Sequence, residues 1–205
     1  LPDRVVVFLD YQNVYKGARS CFHKRDDPHV YGQIDPLKLA QLLVDDSPFD
    51  RMLQQVRIYR GIPSSSHDPK GYGACSSQCA SWAADPRVSV TLRPLSYPAT
   101  WLDTPMPGER PREKGIDVAL AIDYVVMAVR GEYDVGILMS TDTDLKPALE
   151  AVATMTATDN VRAEVAAWRG ATMGRRLGSV RGRKIWCHWL AEQAYTAIAD
   201  GTNYS

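Results

Sequence analysis

The chain has no excess charge of either sign. Lysine plus arginine and aspartate plus glutamate each number 24 among 205 residues, so the formal net charge is zero. Global electrostatics therefore point to no polyanionic partner, and any nucleic-acid surface must be local. No run approaches the roughly 20 apolar residues of a membrane span. The opening apolar run, residues 5–9, is short and meets a charged motif, unlike a secretory leader. Cysteine is scarce, with Cys21, Cys75, Cys79 and Cys187 only, and no C-x-x-C occurs. Free thiols in a cytoplasmic protein are expected. A zinc site on Cys75 and Cys79, completed by His67 or His188, is the lesser alternative. There is no G-x-x-x-x-G-K-S/T phosphate loop, no helix-turn-helix, no internal repeat and no domain boundary. One domain over residues 1–205 is expected.

What is present is an alternation of strand and helix patterns. Residues 4–9 form a continuous apolar run, as in a strand covered on both faces. Residues 11–33 are polar and predict a short helix and a loop. Asp35-Pro36 is a helix start, followed by an apolar face from Leu37, Leu39, Ala40, Leu42 and Leu43. Strands are predicted at 56–59, 88–92, 134–140, 162–168 and 184–190, with helices at 75–84, 115–130, 144–155 and 192–199. Residues 94–111 read as a long proline-rich loop. This alternation predicts an α/β fold, a mostly parallel sheet with helices on both faces. Ligand sites in such sheets lie beyond the carboxyl ends of strands, where strand order reverses. A 3-2-1-4-5 order makes the first and fourth strands neighbours there.

Both of those strands end in carboxylates. Asp10 closes the first run, and Asp142 and Asp144 follow the fourth. Asp117 lies at the start of a predicted helix, in Lys114-Gly115-Ile116-Asp117. Buried unpaired carboxylates are costly, so such a set sits at exposed strand ends or binds a cation. Oxygen donors suit Mg²⁺ or Mn²⁺. A cation held there would assist phosphodiester hydrolysis. Asn13 could orient Asp10, hold a metal-bound water or contact a phosphate oxygen. A single aspartate at such a place is more often a helix cap, and Asp144 fits that role as well. Asp123, six residues past Asp117 in an apolar stretch, is off that helix face and reads as a structural acid with a partner.

Phe8-Leu9-Asp10-Tyr11-Gln12-Asn13, Lys114-Gly115-Ile116-Asp117-Val118-Ala119-Leu120 and Ser140-Thr141-Asp142-Thr143-Asp144-Leu145 together resemble the NYN domain, a branch of the PIN-like ribonucleases. The match in order and spacing runs over about residues 5–190. The resemblance implies a Rossmann-like PIN fold and an Mg²⁺- or Mn²⁺-dependent endoribonuclease. It carries metal-binding roles onto Asp10, Asp117 and Asp142, with Asn13 and Asp144 in support. Family members often have glycine in the place of Thr141 and phenylalanine in the place of Leu145. The branched Thr141 would tighten the loop, and neither change removes a carboxylate.

An RNA partner needs phosphate and base contacts. Arg112 and Lys114 precede Asp117 and are candidates for a phosphate near the cut. Arg169, Arg175, Arg176, Arg181, Arg183 and Lys184 form a glycine-interleaved basic segment suited to the RNA backbone. Each basic group reads equally as solvated surface. Trp101 in the long loop is the candidate for base stacking, whereas Trp186 and Trp189 are expected in the core. A haloacid-dehalogenase phosphatase would need an acid at Gln12, and a receiver domain fits Asn13 poorly. RNA hydrolysis is thus the expected function, with no membrane role and homo-oligomerisation left open. A weakly catalytic RNA-binding or regulatory module, or a DNA nuclease, is the alternative.

Overall fold

A computed structural model describes residues 1–98, 101, 109–159, 161–171, 174–178 and 185–204, the side chains of 156–159 excepted. The apolar run at residues 5–9, flanked by Asp3, Arg4 and Asp10, forms β1 (Asp3–Asp10), which passes directly into α1 (Tyr11–Phe22). The chain continues through α2 (Pro36–Asp45), β2 (Arg51–Ile62), α3 (Pro69–Trp82), β3 (Val88–Pro94) and α4 (Ile116–Val129). Then come β4 (Val135–Met139), a 3-10 turn (Thr143–Leu145), α5 (Lys146–Asp159), β5 (Arg162–Trp168), β6 (Trp186–Leu190) and α6 (Glu192–Ile198). The sheet order is β3-β2-β1-β4-β5-β6, parallel throughout.

Alternate residues of β1 feed two cores. Val5, Val7 and Leu9 pack with α1, α2, α3 and α6, while Val6 and Phe8 pack with α4 and α5. Helices therefore cover both faces, which is why β1 lacks the polar alternation of a half-exposed strand. The first three strands build outward from β1 on one side, and β4 starts the other side. The order reverses between β1 and β4, the predicted switch point.

Several elements differ in extent from the sequence expectation; α3 begins at Pro69 rather than at residue 75, because Asp68 caps it by accepting from the Gly71 amide. The polar segment after Asp10 yields a full 12-residue helix, since Tyr11, Val14 and Ala18 supply a buried stripe. Arg19 then gathers the following loop by donating to the carbonyls of Arg25, Asp27, Pro28 and Tyr31. β2 is also longer, because its polar residues find partners. Gln54 donates to the Glu132 carbonyl, Arg57 pairs with Asp123, and Arg60 donates to Gln78.

The two tryptophans expected in the core are not there. Trp186 is 54% and Trp189 40% exposed, because β6 is an edge strand paired only with β5. Trp168 of β5 is buried instead; its indole N–H donates to the Val14 carbonyl at 2.8 Å. Gly17 leaves it room, since a Cβ there would sit 2.8 Å from Trp168 Cδ1.

Candidate active site

Leu9 of β1 lies in register with Met139 of β4, so the next residues, Asp10 and Ser140, emerge side by side. Asp10 ends its strand and caps α1 at once: its Oδ1 accepts from the Asn13 amide at 3.1 Å. Its Oδ2 accepts from the Ser140 hydroxyl at 2.9 Å. Ser140 Oγ in turn accepts from the Asp142 amide at 3.0 Å, and Asp142 Oδ1 accepts from the Asp144 amide at 3.0 Å. The Asn13 carboxamide oxygen accepts from both the amide and the hydroxyl of Thr141, each at 3.0 Å. These bonds lock the β1–α1 corner to the loop after β4. The Thr141 hydroxyl contributes a tether that a glycine could not. Asp117 enters from the first turn of α4, which the chain reaches through Gly115 at φ +75°, a conformation that favours glycine.

The site is electrostatically strained. Asp10 is only 4% exposed, and burial pushes its carboxyl up to about 6. Bonds from Asn13 and Ser140 oppose this rise, whereas the charges of Asp117 and Glu113 add to it. Asp117 is raised by burial and then by Asp142 and Asp144. Glu113 is raised by burial and by Asp117, but the Gly61 amide, 2.5 Å from its Oε1, and the Lys16 and Arg60 charges hold it down. Carboxylates that raise one another form a concentrated negative potential suited to a cation. The donors are all oxygen, which fits a hard ion. Among the described residues no three His, Cys, Asp or Glu side chains converge closely enough to hold a metal. Mg²⁺ is an ion of this hard class, and it commonly keeps several waters while taking one or two carboxylates directly.

The model of the NYN domain family matches residues 4–166, which contain every carboxylate named above. The chain belongs to the NYN domain family. NYN domains have a PIN-like, nuclease-type fold. The crystal structure of a protein of unknown function, VPA0982 from Vibrio parahaemolyticus RIMD 2210633, is similar to this NYN domain, with 19% identity and a TM-score of 0.48. That match covers 80% of this chain and 81% of the other. No curated protein matches.

The remaining candidates of this NYN domain fall in different places. Asp144 does not cap the helix after β4; Asp142 caps the 3-10 turn, because the chain bends one residue pair earlier than the α5 pattern suggests. Asp123 accepts from Arg57 and from the Tyr59 hydroxyl, both at 2.7 Å, and so is a paired structural acid. Arg112 and Lys114 are exposed beside α4, with the Arg112 backbone bridged to Ser96. Arg175 lines a cavity of about 230 Å³ together with Lys16, Asn13 and Thr141. Arg176 instead donates to the Ile185 carbonyl at 3.2 Å. Arg169 is exposed; Arg181, Arg183 and Lys184 lie outside the described residues. Trp101 packs edge-on against Tyr97, which stacks on His67 at 4.5 Å. His67 and His188, the imagined zinc partners of Cys75 and Cys79, bond Ser64 and Glu164 respectively, while both thiols face the core from α3.

Three residues of the site escaped the sequence reading: Glu113, Ser140 and Lys16. Glu113 sat between two basic residues that drew attention as phosphate contacts. Ser140 was visible only as part of a motif, and its bridge from Asp10 to Asp142 requires the β1–β4 pairing.

Proposed function

We propose that this NYN domain is a metal-dependent endoribonuclease that hydrolyses RNA phosphodiester bonds at the Asp10 crevice. The observation that carries this is the buried Asp10 at the reversal of strand order, bonded to Ser140 of the loop after β4 and raised to about 6 chiefly by burial, with the charges of Asp117 and Glu113 adding to it. Asp10, Asp117 and Asp142, with Asp144 in support, would hold Mg²⁺ or Mn²⁺, one or two of them directly and the others through its bound waters. When bound, that ion supplies an activated water and screens phosphate charge. The chain's own groups set the geometry. Ser140 and the Asn13 amide each occupy one lone pair of Asp10, and further acceptor capacity remains on both oxygens. Asn13, through Thr141, fixes the loop that presents Asp142. Lys16 and Arg175, flanking Asn13, offer positive charge to the RNA backbone, with Arg112, Lys114, Arg176 and Trp101 as outer contacts.

Residues 1–205 would form one domain, since Leu190, Tyr195 and Ile198 share a core with β1. A cytoplasmic location is in keeping with four cysteines that form no disulfide with one another. No helix among the described residues is long and apolar enough to cross a membrane. Self-association would cover the exposed Val118, Ile122 and Val129 of α4.

The test compares wild type with Asp142→Asn on RNA and DNA of matched sequence, with Mn²⁺ and with EDTA. Cleavage of RNA by wild type alone, abolished by EDTA, is expected. Equal cleavage by the variant overturns the metal-site assignment, and preference for DNA overturns the substrate. One observation favours a second reading, a catalytically weak RNA-binding module: the absence of a close three-ligand cluster among the described residues. RNA binding without cleavage by wild type would select it.

A further inference from the structure

On the β2 side of the carboxylates lies a cavity of about 330 Å³ with a polar wall built in advance. Gln78 of α3 is 6% exposed and organises it. Its carboxamide oxygen accepts from Arg60 at 2.7 Å, and its nitrogen donates to Gln33 Oε1 at 2.7 Å and the Tyr11 hydroxyl at 3.3 Å. The Arg60 guanidinium lies over the Tyr11 ring at 4.9 Å and the Trp82 ring at 5.6 Å, which fixes its plane. Sinking two carboxamides, a phenol and a guanidinium into one wall is expensive compared with apolar packing. A fold that needed only a core would have closed this space. Half-buried Tyr15 and Tyr204 add aromatic surface to the lining.

The cavity lies close to the crevice. Tyr11, in its wall, is the residue after Asp10, and Asp10 pairs in register with Tyr59, the residue before Arg60. Glu113 lines the cavity and also raises the Asp10 carboxyl. Arginine and glutamine amides read base edges, and tyrosines stack on base faces. From these residues we infer that the cavity receives a nucleobase of the RNA, next to the phosphate that the crevice cuts, and so gives the domain a base preference at one position. The inference rests on the ribonuclease reading and sharpens it.

Two measurements test it separately from that reading. Ribonucleoside 5′-monophosphates of the four bases are titrated into full-length Asp142→Asn protein, followed by calorimetry. RNAs differing at single positions around the cut are then compared as substrates of wild type. We expect about a tenfold preference for one base in both assays, the size of one lost base contact. Gln78→Met should flatten that preference and lower cleavage of the favoured RNA about tenfold. If Gln78→Met fails a near-ultraviolet circular dichroism check of folding, Arg60→Gln, which alters the base-edge donor itself, must show the same flattening. Cleavage with no base preference, together with equal or absent monophosphate binding, overturns the pocket and leaves the nuclease standing. Selective monophosphate binding without any RNA cleavage supports the pocket and overturns the nuclease.

Discussion

Replacing Asp10 with asparagine should make the protein more stable at neutral pH. The Asp10 carboxyl rises from 3.8 to about 6 on folding, chiefly through burial. A carboxyl that is harder to ionise in the folded chain weakens the fold once both states are ionised. The penalty is absent below about pH 4, grows between the two values and is complete above about pH 6, where it amounts to about 3 kcal/mol. Asparagine removes the charge but offers one acceptor oxygen where Asp10 uses two, for the Asn13 amide and the Ser140 hydroxyl. Losing one such bond costs about 1 kcal/mol. The net gain is about 2 kcal/mol above pH 6, or about 4–8 °C in Tm for a chain of this size. It should vanish, and the sign reverse, as pH falls to 4. Thermal unfolding by circular dichroism in EDTA, from pH 4 to 8, measures this. An Asp10→Asn variant that melts lower than wild type at pH 7.5, or a difference that ignores pH, refutes the account of Asp10 as a strained carboxylate. Mn²⁺ should raise the Tm of wild type and leave that of the variant unchanged.

Glu164→Ala should destabilise the fold by about 3–5 kcal/mol in urea unfolding, because it strands a buried cation. Arg51, its side chain 1% exposed, donates two bonds to Glu164 at 2.6 and 2.9 Å, and His188 lies 2.7 Å from the same carboxylate. Burial pushes Glu164 up, but His188 and Arg51 outweigh it and hold it below the ordinary range. Its contribution is therefore full at neutral pH and lost as pH falls through the lowered value; a loss under about 1 kcal/mol would contradict this. Gly115→Ala forces a side chain onto φ +75° and should cost about 1–2 kcal/mol. Since Gly115 launches the turn that carries Asp117, RNA cleavage should fall further than the stability change explains. Unchanged cleavage would separate Asp117 from the chemistry.

Much was legible in the sequence because it depends on local periodicity. The apolar run before Asp10 reads as a doubly covered strand, and the alternation of runs and helical faces argues for a parallel sheet. From that order the meeting of Asp10 with the loop carrying Asp142 followed. Tertiary structure decided whatever depends on a neighbour distant along the chain. Ser140 bridges Asp10 to Asp142 only because Leu9 and Met139 are in register. Glu113 joins the acids only because β2 presents the Gly61 amide to it. Trp168 is buried and Trp186 exposed because one strand has two neighbours and the other has one. Residue type announced each of these side chains equally; partner, burial and charge environment came from chain segments as much as 154 positions apart.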